Sequence, residues 1–150
     1  MALVDLLNKK VIKVPLKSKN KSDVLLELTT ILAKAGKFKD IKSVVKALVE
    51  RENIGSTGLG SGIAIPHAKT ELVDELTVAV GISPKGIEFN AIDGELSTIF
   101  FLILAPPDQS VQHVKTLSEI ANIVKDYSFC ESLLEAKKPN TVLDIFKNTI

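Results

Sequence analysis

Apolar positions along the chain alternate between a helical and a strand period, and the changes of period mark out the elements. Leu3, Leu6 and Leu7 fit one short helical turn, and Val11 to Leu16 reads as a strand whose pairing Pro15 limits. From Ser22 onward Leu25, Leu28, Leu32 and Ala35 share one helical face, with Asp23 in the first turn and Gly36 placed to end it. A second helix follows Asp40, a good N-cap, with Ile41, Val44, Val45, Leu48 and Val49 at i, i+3, i+4, i+7 and i+8, and it runs into Arg51 and Glu52.

The pattern then changes to strands. Ile63 to Ile65 is a short strand closed by Pro66, which places His67 at a strand end, held firmly yet accessible. Leu76 to Ile82 alternates larger apolar residues with Thr77, Ala79 and Gly81, and Ser83-Pro84-Lys85-Gly86 is expected to turn the chain. After a further turn at Asn90 to Gly94, Thr98 to Ala105 is continuously apolar, as expected of a central strand covered on both faces. Pro106-Pro107-Asp108 ends it. A helix from about Ser110 to Lys125 should bury Val114, Leu117, Ile120, Ala121 and Val124. Capping boxes at Ser128 with Glu131 and at Thr141 with Asp144 predict two closing helices. The sum is an α/β fold over residues 1–150: a single domain whose mixed β-sheet is flanked by helices on both faces.

Composition narrows the function classes. The formal net charge is +1, from 19 basic and 18 acidic residues spread along the chain, so no general attraction to nucleic acid or an anionic membrane is expected. Cys130 is the only cysteine, which excludes an internal disulfide and a thiolate-rich metal site. The N-terminal run MALVDLLNKK has its basic residues after the apolar ones, the reverse of a secretory signal, and no apolar stretch is long enough to span a bilayer. A cytoplasmic location is the expectation.

The chemistry concentrates between Arg51 and Thr70, in RENIGSTGLGSGIAIPHAKT. Glycines there let backbone N–H groups approach a ligand, Arg51 can clamp oxyanions, and neutral His67 can act as a nucleophile. Gly55 and Gly60 have P-loop spacing, but Ser61-Gly62 stands where the phosphate-binding lysine belongs. The dinucleotide spacing and the serine nucleophile elbow also fail. The loop alone is equally compatible with a tight, ligand-free connection. A second histidine shifts the balance, because His113 falls in the first turn of its helix on the face of Leu117, Ile120 and Val124. It is either a core histidine bonded to a carbonyl or a group that holds a phosphoryl oxygen beside His67. No third ligand completes a zinc site, and Cys130 reads as a small buried hydrophobe.

Together RENIGSTGLGSGIAIPHAKT, the FFLILAP strand and HVKTLSEIA resemble the enzyme IIA component of the bacterial phosphoenolpyruvate-dependent sugar phosphotransferase system, in the fructose/mannitol type that includes nitrogen-related regulators. The resemblance implies that His67 is the phosphorylated residue. It implies that His113 and Arg51 stabilise the phosphate, that Ser56, Thr57 and Gly58 line the phosphate pocket, and that no metal or cofactor takes part. It further implies phosphoryl transfer from the carrier protein HPr to an enzyme IIB component during sugar or sugar-alcohol uptake, with any contact to a membrane enzyme IIC made through enzyme IIB. In-line attack by His67 would be assisted by Arg51, loop N–H groups and His113. The same pocket would serve a nitrogen-related regulator whose phosphorylation switches its binding to other proteins. One departure follows Asp93-Gly94, where Leu96 stands at a position that family members often give to proline.

Overall fold

A computed structural model of the protein describes residues 2–150. Its strands are β1 (Ile12–Lys13), β2 (Gly58–Gly60), β3 (Ile63–Ala64), β4 (His67–Lys69), β5 (Thr77–Ile87) and β6 (Ser97–Ala105). Its α-helices are α1 (Lys21–Lys34), α2 (Ile41–Ile54), α3 (Ser110–Ile123), α4 (Tyr127–Glu135) and α5 (Pro139–Thr149). Short 3-10 turns at Leu3–Leu6, Lys9–Val11 and Pro107–Gln109 complete the chain.

The sheet runs β1-β5-β6-β3-β2, and β4 also pairs with β6. β6 is its centre, antiparallel to β5 and parallel to β3 and then β4 along its other edge. This follows from composition: every residue of β6 but Thr98 is buried, so the strand satisfies its backbone on two sides and its side chains on two faces. Pro66, with no N–H to give, interrupts the ladder between β3 and β4, while its carbonyl accepts from Ile103 N at 2.9 Å. The break sets His67 down opposite Ile103 as the first residue of β4, so the histidine opens a strand where the pattern had it following one.

Successive residues of β6 face opposite sides of the sheet. On one face Phe100 packs edge-on to Phe89, and the paired Gly81 leaves room for the side chains of Leu16 and Leu28, whose methyls lie 2.9 Å from where a Cβ would stand. That is the side of α1 and α2. On the other face Phe101 meets Phe146 of α5, and Phe146 meets Phe129 of α4, both edge-on. α3 covers the same face beside β6, and His67, as the partner of Ile103, points there too.

Several expected details change. Val11 to Leu16 pairs as strand only over Ile12–Lys13, though Leu16 N still reaches the Ile82 carbonyl at 2.8 Å. Ser83-Pro84-Lys85-Gly86 is not a turn: β5 continues through it with a register shift between Ile82 and Ile87, which absorbs the proline without reversing the chain. α4 is capped by Asp126, whose side chain accepts from Phe129 N, so Ser128 already lies inside the helix. α5 starts at Pro139, where a missing N–H costs nothing, ahead of Thr141. Val49 on α2 is 37% exposed, the core stripe being Val44, Leu48 and, unexpectedly, Glu52.

The Phe101–Phe146–Phe129 cluster is predicted to dominate stability on its face. Phe146→Ala, at a fully buried position, should cost about 3–5 kcal/mol in urea unfolding, whereas Ile54→Ala, at a position 84% exposed, should stay within ~0.5 kcal/mol of the parent.

Candidate functional site

Two elements position the site, the C-terminal end of α2 with its loop and the start of β4 beside α3. At the end of α2, Arg51 Nη1 donates to the Gly55 carbonyl at 2.8 Å, which folds the guanidinium over the helix end and satisfies one of its orphan acceptors. The other donors of its planar fork have no acceptor among the described residues. One residue on, buried Glu52 accepts from Thr57 N at 3.2 Å and from the Thr57 hydroxyl, and pairs with Lys21 of α1 at 2.8 Å. A carboxylate so enclosed is tolerable only because a cation and two donors meet it. In doing so it ties the loop to α1 and α2 together. Lys21 also lies 4.7 Å above the Phe89 ring.

Beyond Thr57 the loop is held by its own hydroxyls and by the segment after β5. Ser56 Oγ donates to the Phe89 carbonyl at 2.8 Å and accepts from Gly58 N at 3.0 Å, while Ile92 N donates to the Gly58 carbonyl at 3.0 Å. A Cβ on Gly58 would stand 2.9 Å from Ala91 Cα, so this close backbone approach requires glycine. Asp93 accepts from Ser61 N and Glu95 N, and those two backbone donors are what hold its carboxyl below the ordinary carboxylate range.

His67 Nδ1 sits 2.7 Å from the Ile65 carbonyl. A carbonyl can only accept, so Nδ1 carries the proton and Nε2 is left with a free lone pair. The ring meets that of His113 edge-on, with centroids 5.5 Å apart and planes at 76°. His113 is buried, and its Nε2 has no partner among the described residues. Burial first, and then the charges of His67 and Lys69, push its pKa down to about 4, so the ring is neutral near pH 7.

Arg51, Ser56, Thr57, Leu59, Ile65, His67, Leu117 and Ala121 line one cavity of about 230 Å³. Of the residues expected at the site, Arg51, Ser56, Thr57 and His67 therefore converge, with His113 against His67. Gly58 does not line the cavity. Nor are the amides of Thr57, Gly58 and Ser61 open to a ligand, since each is engaged within the protein. These three amides, expected to face an anion, instead fix the shape of the loop.

The sequence reading of α3 merged two stripes. His113, Thr116 and Ile120 face the sheet, whereas Val114, Leu117 and Ala121, spaced i, i+3 and i+7, follow the adjacent face, on which Leu117 and Ala121 reach the cavity and Val114 is 60% exposed. Val114 and Ala121 are therefore not core residues. Ala121 and Leu59 line the cavity, Ile54 and Val114 are exposed apolar residues at the end of α2 and in the first turns of α3, and Ile63 is buried. Sequence reasoning also missed Glu52, though a carboxylate on the apolar side of an amphipathic helix was a signal. Cys130 is half-buried, with Sγ on the Val124 carbonyl at 3.4 Å and its thiol pKa raised, chiefly by burial.

A family model described as the phosphoenolpyruvate-dependent sugar phosphotransferase system, EIIA 2, matches residues 5–149. The chain is 37% identical over 145 residues to the fructose-specific EIIABC component of the phosphotransferase system of Bacillus subtilis, covering 97% of this chain and 23% of that protein. It is 37% identical over 123 residues to the fructose-specific EIIA component of Haloferax volcanii, covering 82% of this chain and 80% of that one. The chain thus spans about a quarter of the first relative and most of the second. The crystal structure of nitrogen regulatory protein IIA-Ntr from Neisseria meningitidis matches with a TM-score of 0.88 at 28% identity, over 95% of this chain and 97% of that one. Among the described residues no helix is long and apolar enough to cross a membrane.

The His113 environment carries a pH signature. With its folded pKa near 4 and an ordinary value of 6.5, the unfolded chain binds more protons between those pH values, so stability should rise with pH across that window and level off above it. NMR titration should find the His113 ring neutral at pH 6, and His113→Gln should flatten this part of the stability profile.

Proposed function

Since the chain belongs to the EIIA 2 family of the phosphoenolpyruvate-dependent sugar phosphotransferase system, we propose that it carries a phosphoryl group on Nε2 of His67, received from phospho-HPr and passed to an enzyme IIB component during uptake of a sugar or sugar alcohol. The reaction belongs to the cytoplasm. The observation that carries this reading is the bond from His67 Nδ1 to the Ile65 carbonyl, which leaves Nε2 as the nucleophile of a residue lining the cavity shared with Arg51. The Nε2 lone pair attacks phosphorus in line with the donor's P–N bond. That bond breaks as the new one forms, and its electron pair returns to the donor imidazole.

The departing and arriving nitrogens need little chemical help, because the donor is itself a phosphohistidine. Orientation and charge are what the protein supplies. Arg51, with unengaged donors at the cavity wall, meets the equatorial oxygens. His113 serves as a neutral Nε2–H tautomer, and its otherwise orphaned buried nitrogen gains an oxygen acceptor when the phosphoryl group arrives. Ser56 and Thr57 shape the wall, with Gly58 allowing the close packing behind it. The apolar rim of Ile54, Leu59, Val114 and Ala121 gives HPr and enzyme IIB in turn a surface around His67.

The likeness to the Neisseria IIA-Ntr structure supports a second reading in which the same phosphorylation sets affinity for transporters or regulators. Deletion separates the two: loss of growth on one sugar supports transport, whereas altered activity of unrelated transporters with sugar growth intact supports regulation.

Incubation with phosphoenolpyruvate, enzyme I and HPr is expected to add one phosphoryl group, seen by intact-protein mass spectrometry, and His67→Ala should abolish it. Arg51→Ala should slow labelling by about 10²–10³, as loss of a preorganised charge donor does, while leaving the fold intact. Normal labelling of His67→Ala would refute the assignment.

A further inference from the structure

A cleft larger than the His67 cavity lies away from it. Where β1 and β5 part, the segments 14–19 and 83–86, with Ala136 and Lys137 beyond α4, enclose a cleft of about 650 Å³. That volume is within the range of small-molecule sites, about 300–1,000 Å³. The cleft shares no lining residue with the cavity at His67. It also sits at the other end of β6: Ile82 pairs with Ile99 and His67 with Ile103, roughly 13 Å along the strand, with β5 a further strand across.

Its walls combine two chemistries. Val14, Pro15, Leu16, Pro84 and Ala136 supply apolar surface. Lys17, Lys19, Lys85 and Lys137 bring four cations, no carboxylate side chain lines the cleft, and none of the four is paired with a carboxylate among the described residues. The nearby Glu27 is taken up by the backbone N–H groups of Lys17 and Ser18 and by the Ser18 hydroxyl. In a chain of net charge +1, four exposed lysines along the lining of one concavity raise the positive potential locally. The cleft exists because of the backbone: the register shift between Ile82 and Ile87 releases Ser83–Gly86 from β6, and Gly86, at φ +82°, packs where a Cβ would stand 2.7 Å from Leu96 Cβ.

We propose that this cleft is a second site that binds a small organic polyphosphate of the nucleotide type, its ring on the Pro15–Pro84 surface and its phosphates among Lys17, Lys19, Lys85 and Lys137. Apolar surface selects for an organic body, while the cluster of compact ammonium charges selects for more than one phosphate. A concave pocket of this size suits a free metabolite better than a flat membrane surface.

The test is an NMR titration of the full chain with adenosine diphosphate, beside inorganic pyrophosphate and phosphatidylglycerol vesicles. Saturable amide shifts at Lys17, Ser18, Lys19, Ser83, Lys85, Gly86 and Lys137 are expected, weakening as salt rises. The double variant Lys85→Ala/Lys137→Ala, at exposed positions, should keep its melting temperature and its phosphoryl labelling at His67, and bind adenosine diphosphate about tenfold more weakly. Pyrophosphate should bind the same residues more weakly than the nucleotide. No saturation, shifts confined to the His67 cavity, unchanged binding by the double variant, or binding to the vesicles alone would each overturn the proposal. Because His67 labelling is read separately, failure here leaves the phosphotransfer reading standing, and the converse holds too.

Discussion

One hydrogen bond decides what the site can do. The Ile65 carbonyl, accepting at 2.7 Å from the histidine two residues on, fixes both the tautomer and the orientation of the His67 ring. It is available because Pro66 breaks the ladder between β3 and β4, so that the chain departs from regular pairing where the His67 side chain needs a carbonyl. Without it the imidazole would exchange tautomers and present either nitrogen. With it, the free nitrogen is fixed as Nε2 in advance, which is the sense in which the proposed site is preorganised.

The surroundings divide the remaining work. Glu52, buried and paired with Lys21, is spent on the loop: its oxygens hold the amide and hydroxyl of Thr57. Ser56 and Asp93 hold the next amides. In the proposed transfer, charge compensation falls to the side chains of Arg51 and His113, one cationic and one neutral. That asymmetry suits a carrier, which must release the group as readily as it takes it. Two cations around the phosphoryl group would hold it longer, whereas a neutral donor with a pKa near 4 supplies a hydrogen bond without a second full charge.

Much of this was legible in the sequence, for reasons that can be named. β6 was evident because a strand buried on both faces has to be apolar throughout, α1 from the stripe of Leu25, Leu28, Leu32 and Ala35, and α2 because Asp40 caps a second clean stripe. Segment 83–86 misled because Ser-Pro-Lys-Gly carries turn chemistry, yet β5 accommodates it as an irregularity at a sheet position where Ser83 is buried and Pro84 exposed. α3 misled for a different reason. Periodicity reports which residues are apolar, not what they face, and Leu117 and Ala121 line the cavity while Val114 meets solvent. The pairing of Glu52 with Lys21, across 31 residues of chain, had no local signal at all.

The claim at the centre is that Nε2 of His67 is the atom that takes phosphorus. Long-range proton–nitrogen NMR of the imidazole, with phosphorus coupling after transfer from phospho-HPr, reads it directly. The account predicts a proton on Nδ1 in the free protein and phosphorus coupled to Nε2 afterwards. Phosphorus on Nδ1, or a free ring protonated at Nε2, would contradict it.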